Sequence, residues 1–328
     1  MRSLSWLRPF AATLLAMGML VPPPSFAQVP ARFYWKSLSG GNAVPLIVNS
    51  ISGNTNPFDM GHTVTSGADF DATLIMTGFA HTFAIGDRSA LAAIILPMGR
   101  ISGDVVTPAG TTAKQSASGF GDPMLEFSLN LIGPKAQKNI PDVLRYEPGF
   151  SVDLLADLAL PIGEYDDDQA LNIGQNRWYG RVGFPVVWQL GDWVPGRRTT
   201  LEFLPAVWMF GNNTDYVGGT LKTDPLFQLD AHLTRDFTEH FWGAIDASWY
   251  SGGRATVNGV AGDKLNNVGV GLTLGYTIND NLNLTVGYKS TINDSAPSDL
   301  RMDGIMVTLV YGWHPLIEGS KRLKSGEK

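Results

Sequence analysis

The sequence predicts an all-β protein, a transmembrane antiparallel up-and-down β-barrel of about twelve strands. Three observations predict it. Beyond residue 28, hydrophobicity alternates with a period of two rather than 3.6, as in strands with one apolar face. Charged residues make up 16% of the 328-residue chain and hydrophobic ones 44%, whereas soluble domains carry roughly 25% charged residues. Tight connections also alternate with long ones, the layout of a barrel with short turns at one end and long loops at the other. A soluble Greek-key sandwich gives no reason for loops to be sorted in this way.

Residues 1–27 have the features of a secretory signal peptide: Arg2 and Arg8, an apolar run over 10–21, and Ser25 and Ala27 at a small-x-small cleavage site. The run is too short for a transmembrane helix, which needs about 20 residues. A buried N-terminal helix is the competing reading. Loss of the two arginines takes the formal charge from −6 to −8, which disfavours nucleic acid as a partner. The absence of cysteine excludes disulfides, thiolate metal sites and cysteine nucleophiles.

Residues 28–315 are expected to form the barrel. The strands are placed at 31–48 (irregular), 70–84, 88–101, 122–133, 147–161, 173–190, 199–211, 225–236, 240–251, 267–278, 281–291 and 303–313. The clearest hairpin runs over 268–288. There Val270, Leu272, Leu274 and Tyr276 alternate with Gly271, Thr273 and Gly275, and Asn279-Asp280-Asn281 turns the chain. Leu125/Phe127/Leu129, Leu154/Ala156/Leu158, Leu229/Ala231/Leu233 and Ile305/Val307/Leu309 are assigned to lipid; the acids fall on the opposite faces. The run 89–97, SALAAIILP, is apolar on both faces and is read as touching a plug or a neighbour inside the barrel. Trp178, Trp193, Trp242, Trp249, Tyr288 and Trp313 lie near strand ends, where interfacial girdles form.

The connections at 49–69, 102–121, 212–224 and 252–266 are long; those at 86–87, 191–198, 237–239 and 279–280 are short. Long loops then face the cell exterior, and both termini the periplasm. The segment 134–146 is long for a periplasmic turn, and 316–328 is a basic periplasmic tail. Twelve strands imply a lumen between that of a filled eight-stranded barrel and that of a wide porin, narrow enough for the loops at 49–69 and 102–121 to constrict it.

Three motifs, GFGDP (119–123), LPIGEYD (160–166) and LNIGQNRWY (171–179), resemble those of outer-membrane proteins grouped as the meta-pathway of phenol degradation family. The resemblance extends more loosely over most of the mature chain. It implies a barrel in the Gram-negative outer membrane, commonly labelled a transporter, in organisms that use aromatic or other hydrophobic compounds. It supplies no catalytic mechanism.

Candidate lumen-lining residues are Glu126, Asp153, Asp157, Glu202, Asp230, His232 and Asp246. They either form an acidic lumen that disfavours anions or pair with inward bases such as Lys289 and fill it. Candidate outer-rim residues are Asp166, Asp167, Asp168, Arg177 and Trp178. The acids with Glu164 offer hard oxygen ligands, but their spacing is not that of an EF-hand and suits a solvated loop. Arg177 is positioned either to meet a ligand or lipopolysaccharide phosphate or to order the loop by pairing with nearby acids. No cofactor is expected. The five histidines show no metal-ligand spacing. A lipid hydrolase or acyltransferase would need a Ser/His constellation at the rim, and His232 has no evident partner in the sequence. The expected function is a passive channel for small hydrophobic or aromatic solutes, with outer-membrane lipid and lipopolysaccharide as surroundings. A structural or surface-interaction barrel with a filled lumen is the alternative.

Overall fold

A computed structural model of the chain describes residues 29–106 and 112–319. The signal peptide at 1–27 and the tail beyond 319 lie outside the described residues. The strands are β1 (Asn42–Gly53), β2 (Asp69–Ile85), β3 (Arg88–Val106), β4 (Thr112–Phe120), β5 (Met124–Ile132), β6 (Phe150–Ala159), β7 (Tyr179–Gly183), β8 (Val186–Gln189), β9 (Thr199–Phe210), β10 (Asn213–Tyr216), β11 (Gly219–Thr223), β12 (Leu226–Asp236), β13 (Phe241–Gly252), β14 (Ala255–Val257), β15 (Val260–Ala261), β16 (Leu265–Asn279), β17 (Leu282–Thr291) and β18 (Met302–Trp313).

Each wall strand is antiparallel to its neighbours, and β18 pairs with β1 from Asn42↔Trp313 to Gly53↔Met302, closing the sheet. Two staves are split. β4 and β5 lie end to end against β3, and β7 and β8 lie end to end between β6 and β9. With each split pair counted once, the described residues form a barrel of twelve staves. Closure is what lipid requires, because an open edge would leave backbone groups without partners. A separate sheet, β10-β11-β14-β15, is built from the two long loops at 211–225 and 253–264.

The expected alternation holds. Leu125, Leu158, Leu233, Leu272 and Ile305 are exposed on the outside, while their sequence neighbours Glu126, Asp157, His232, Thr273 and Met306 are buried inside. Two expectations fail. The first strand begins at Asn42 rather than 31, because 29–41 folds into the lumen, where Arg32, Trp35 and Lys36 find partners. Nor do the described residues of the connection at 102–121 constrict the lumen. They continue as β3 and β4, paired from Met98↔Phe120 to Val106↔Thr112. The long short-end segment at 133–149 holds a helix, α1 (Ile140–Leu144), with an Asn139/Asp142 capping box.

The β4/β5 break is where the three motifs meet. Asp122 accepts hydrogen bonds from the backbone N–H of Gly163 (2.9 Å) and of Gln175 (2.8 Å). A Cβ on Gly163 would lie 2.6 Å from the Gly121 carbonyl carbon, and one on Gly174 would lie 2.6 Å from that of Gly163. Only glycine permits such backbone contact. Distant motifs thus form one joint at the long-loop end.

A positive charge on the outer belt should be costly. Leu272→Arg, at mid-strand on β16, is expected to lower unfolding stability in lipid by about 2–4 kcal/mol. Urea titration in bilayers would measure it. A change within error would mean that this face does not contact the hydrocarbon.

A plugged lumen as the candidate functional site

The interior is divided between charge and hydrocarbon. On one side β5, β6, β9, β12 and β13 carry the acids, and β7 between them carries Arg181. Arg181 Nε donates to Asp157 Oδ2 at 2.6 Å, and its guanidinium lies 4.9 Å from the Trp208 ring. Trp208 Nε1 donates to Gln228 Oε1 (2.6 Å), and Gln228 Nε2 to Asp230 Oδ2 (2.7 Å). His232 Nδ1 lies 2.6 Å from Asp246 Oδ1, while Thr273 Oγ1 donates to Asp246 Oδ2. Lys289 crosses over Gly271, where a Cβ would lie 2.2 Å from the lysine Cγ. The opposite side, β1 to β3 and β18, presents Ile47, Leu74, Met76, Leu91, Ala93 and Met306.

The N-terminal segment plugs the short-turn end. The Arg32 backbone N–H and Trp35 Nε1 both donate to Glu202, at 2.8 and 2.7 Å. The Arg32 guanidinium pairs with Asp236 at 2.6 Å and sits between the Trp35 and Trp242 rings, 4.2 and 4.3 Å from their centroids. Lys36 is ion-paired with Asp153. Arg198 also pairs with Asp236, at 2.7 Å, and lies over Trp35 and Trp193.

The loop at 54–68 caps the long-loop end. Arg177 Nη2 donates to Asp59 Oδ1 at 2.8 Å and Nη1 to Thr223 Oγ1 at 2.7 Å; both members of the ion pair are buried. Burial alone would push the Asp59 carboxyl up. The Arg177 charge and hydrogen bonds from Thr63 and Gly61 outweigh it and hold the group below the usual range. His62, also buried, packs edge-on against Tyr250. Burial lowers its pKa to about 4, with Asp59 opposing.

Between plug and cap lies a cavity of about 570 Å³. Its wall is mostly apolar, with Met60 and His62 from the cap, Arg32 and Trp35 from the plug, and Glu126, Arg181, Trp208 and Gln228 from the charged side.

All seven candidate lumen residues are buried and inward, and six have a side-chain hydrogen bond or ion pair. Glu126 makes neither among the described residues. At the rim the outcomes differ. Asp166, Asp167 and Asp168 are exposed, with carboxylate oxygens within 4.8 Å of one another, and Asp166 is engaged by Asp168 N–H and Gln169. Trp178 is exposed. Arg177 is not: it is buried, it pairs with Asp59 on a different loop, and it cannot meet a lipopolysaccharide phosphate from there. No serine hydroxyl hydrogen-bonds to His232 among the described residues. The plug residues Arg32, Trp35 and Lys36 were not expected. Their signal was the polar and aromatic irregularity of 31–36, ARFYWK, in a stretch read as a strand.

The fold is a closed antiparallel barrel of twelve staves, of the outer-membrane type. Residues 53–309 match the family described as "Putative MetA-pathway of phenol degradation", and the chain belongs to that family. Its fold is similar to that of a COG4313 outer membrane channel from Pseudomonas putida F1, with a TM-score of 0.68 at 17% identity over 88% of this chain and 100% of the other. More distant likeness extends to the translocator domain of the autotransporter NalP from Neisseria meningitidis (TM-score 0.44, 11% identity, 93% and 94% covered). No curated protein sequence matches the chain.

Two measurements test the cap. Arg177→Met leaves Asp59 buried without its cation, which is expected to cost about 3–5 kcal/mol and to expose 54–68 to proteolysis. The second is a pH dependence. The unfolded loop binds a proton at His62 below its ordinary value of 6.5, whereas the folded loop resists it down to about 4. The stabilisation is therefore complete above pH 6.5 and is lost as pH falls toward 4. Hydrogen exchange at 54–68 should accelerate across that window. His62→Asn, which tolerates the left-handed backbone (φ 48°), should remove the dependence.

Proposed function

We propose that this protein is a passive outer-membrane channel, and not an enzyme, for small hydrophobic or aromatic molecules. One observation carries the reading: an apolar cavity of about 570 Å³ held between plug and cap inside a closed barrel. A space of this size suits a molecule of drug-like dimensions or smaller, and its apolar wall suits hydrocarbon better than sugar. The similarity to an outer membrane channel supports passage through the barrel. In the proposed orientation the long-loop end faces outward among lipopolysaccharide. The plugged end faces the periplasm, and the exposed belt contacts membrane lipid. Asp166, Asp167, Asp168 and Trp178 then belong to the outer surface.

Two experiments test this. Proteoliposomes should take up small aromatic solutes faster than protein-free liposomes and show little swelling with sugars of similar mass. Equal rates for the aromatic series with and without protein would refute a channel. The double variant Arg32→Ala/Lys36→Ala should raise single-channel conductance. It should also shift the reversal potential toward cation selectivity, because Asp236 and Asp153 lose their plug cations. Unchanged conductance would mean that the plug does not limit the path.

A further inference from the structure

Glu126 stands apart from the other inward acids. It lies on β5 directly across from Asp157 on β6, and Asp157 is engaged by Arg181. Glu126 is only 5% exposed, yet its carboxylate has neither a hydrogen bond nor an ion pair among the described residues. Unlike Asp157 Oδ1 and Asp230 Oδ1, which are sealed in without a partner, the Glu126 oxygens keep accessible surface on the interior, where a group entering beside them can bond.

Glu126 lines the main cavity and also a second space of about 60 Å³ along the plug. That second space is bounded by Phe33, Lys36, Thr82 and Ser89, and so runs toward the tight turn at 86–87. Leu91, on the neighbouring strand β3, lines both spaces too, and Ala93, Ile95 and Met124 continue the apolar wall of the main cavity. One acceptor group therefore stands at the junction of an apolar chamber and a narrow gap leading to the short-turn end.

We propose that Glu126 is the docking point for the polar head of a solute with an apolar body, and that the head is a hydrogen-bond donor, either hydroxyl or ammonium. The body lies against Leu91, Ala93 and Met76 while the head satisfies the carboxylate. Bare hydrocarbon leaves Glu126 unpartnered. A carboxylate head has no proton to donate and sets its charge against that of Glu126. This inference rests on the channel reading above and adds the chemistry of the solute.

The test uses the full chain in nanodiscs and one body with four heads: cyclohexylmethanol, cyclohexylmethylamine, ethylcyclohexane and cyclohexylacetate. Trp35, Trp208 and Trp242 line the cavity, so tryptophan fluorescence reports occupancy, corrected for partitioning into protein-free discs. The alcohol and the amine are expected to bind about tenfold or more tighter than the other two, the scale of a hydrogen bond to a charged group. Glu126→Leu should erase both preferences. Glu126→Gln, which keeps an acceptor but no charge, should retain the alcohol and lose the advantage of the amine. Equal binding of all four by the native protein, or a preference that survives Glu126→Leu, overturns the proposal. If Glu126→Leu does not fold, the native ranking and Glu126→Gln decide the matter. Aromatic uptake into liposomes without any head-group preference would sink this inference and leave the channel reading standing. No binding and no uptake would remove both.

Discussion

A strand that crosses hydrocarbon must send every second side chain inward, and in this protein the inward positions carry acids. Asp153, Asp157, Glu202, Asp230, Asp236 and Asp246 are buried in an interior too narrow to solvate them as bulk water would. Buried charges persist only when paired or hydrogen-bonded. The wall supplies Arg181, the short-turn segment supplies Arg198, and Gly271 lets Lys289 reach across. The N-terminal segment supplies Arg32 and Lys36. The plug is therefore part of the interior's charge balance rather than an appendage lodged in a finished pore.

That balance also decides where the empty space lies. The plug is drawn to the acidic side by Glu202, Asp236 and Asp153. The cavity is left against the staves that turn no acid inward, β1 to β3 and β18. The apolar character of the cavity thus follows from electrostatics on the opposite wall. SALAAIILP, apolar on both faces, makes sense in this light. Its outward residues Ile94 and Leu96 are exposed, and its inward residues Leu91, Ala93 and Ile95 meet the cavity.

Much of the barrel was legible because a period of two survives in sequence. Val152 to Ala159 and Val268 to Tyr288 display both faces without any knowledge of their neighbours. The inward acids were legible for the same reason. What the pattern hid were features that depend on distant partners. The segment at 31–41 alternates loosely enough to pass for a strand, and its true place depends on Glu202 and Asp236, about 170 and 204 residues away. Arg177 sits beside the acids of its own loop, yet it is bonded to Asp59, 118 residues away. Tight turns were readable from Asn, Asp and Gly. The 102–121 segment was misread as a loop because it contains Pro108 and several glycines and hydroxyl residues.

Both seals are hung on a single stave. The plug ends where β1 begins at Asn42, and the cap begins where β1 ends at Gly53. β1 is also the strand that closes the barrel against β18. Its inward residues Ile47 and Asn49 line the cavity that the two seals enclose. The plug is fixed to β9 and β12 through Glu202 and Asp236, and the cap to the loop before β7 through Arg177. The chain around β1 therefore spans the lumen at both ends and is tied to the acidic wall at both. Movement of either seal must break a buried, charge-bearing contact on the far side of the barrel. In the proposed channel a solute would therefore compete with buried ion pairs rather than with an exposed loop, which would favour a selective route over an open one.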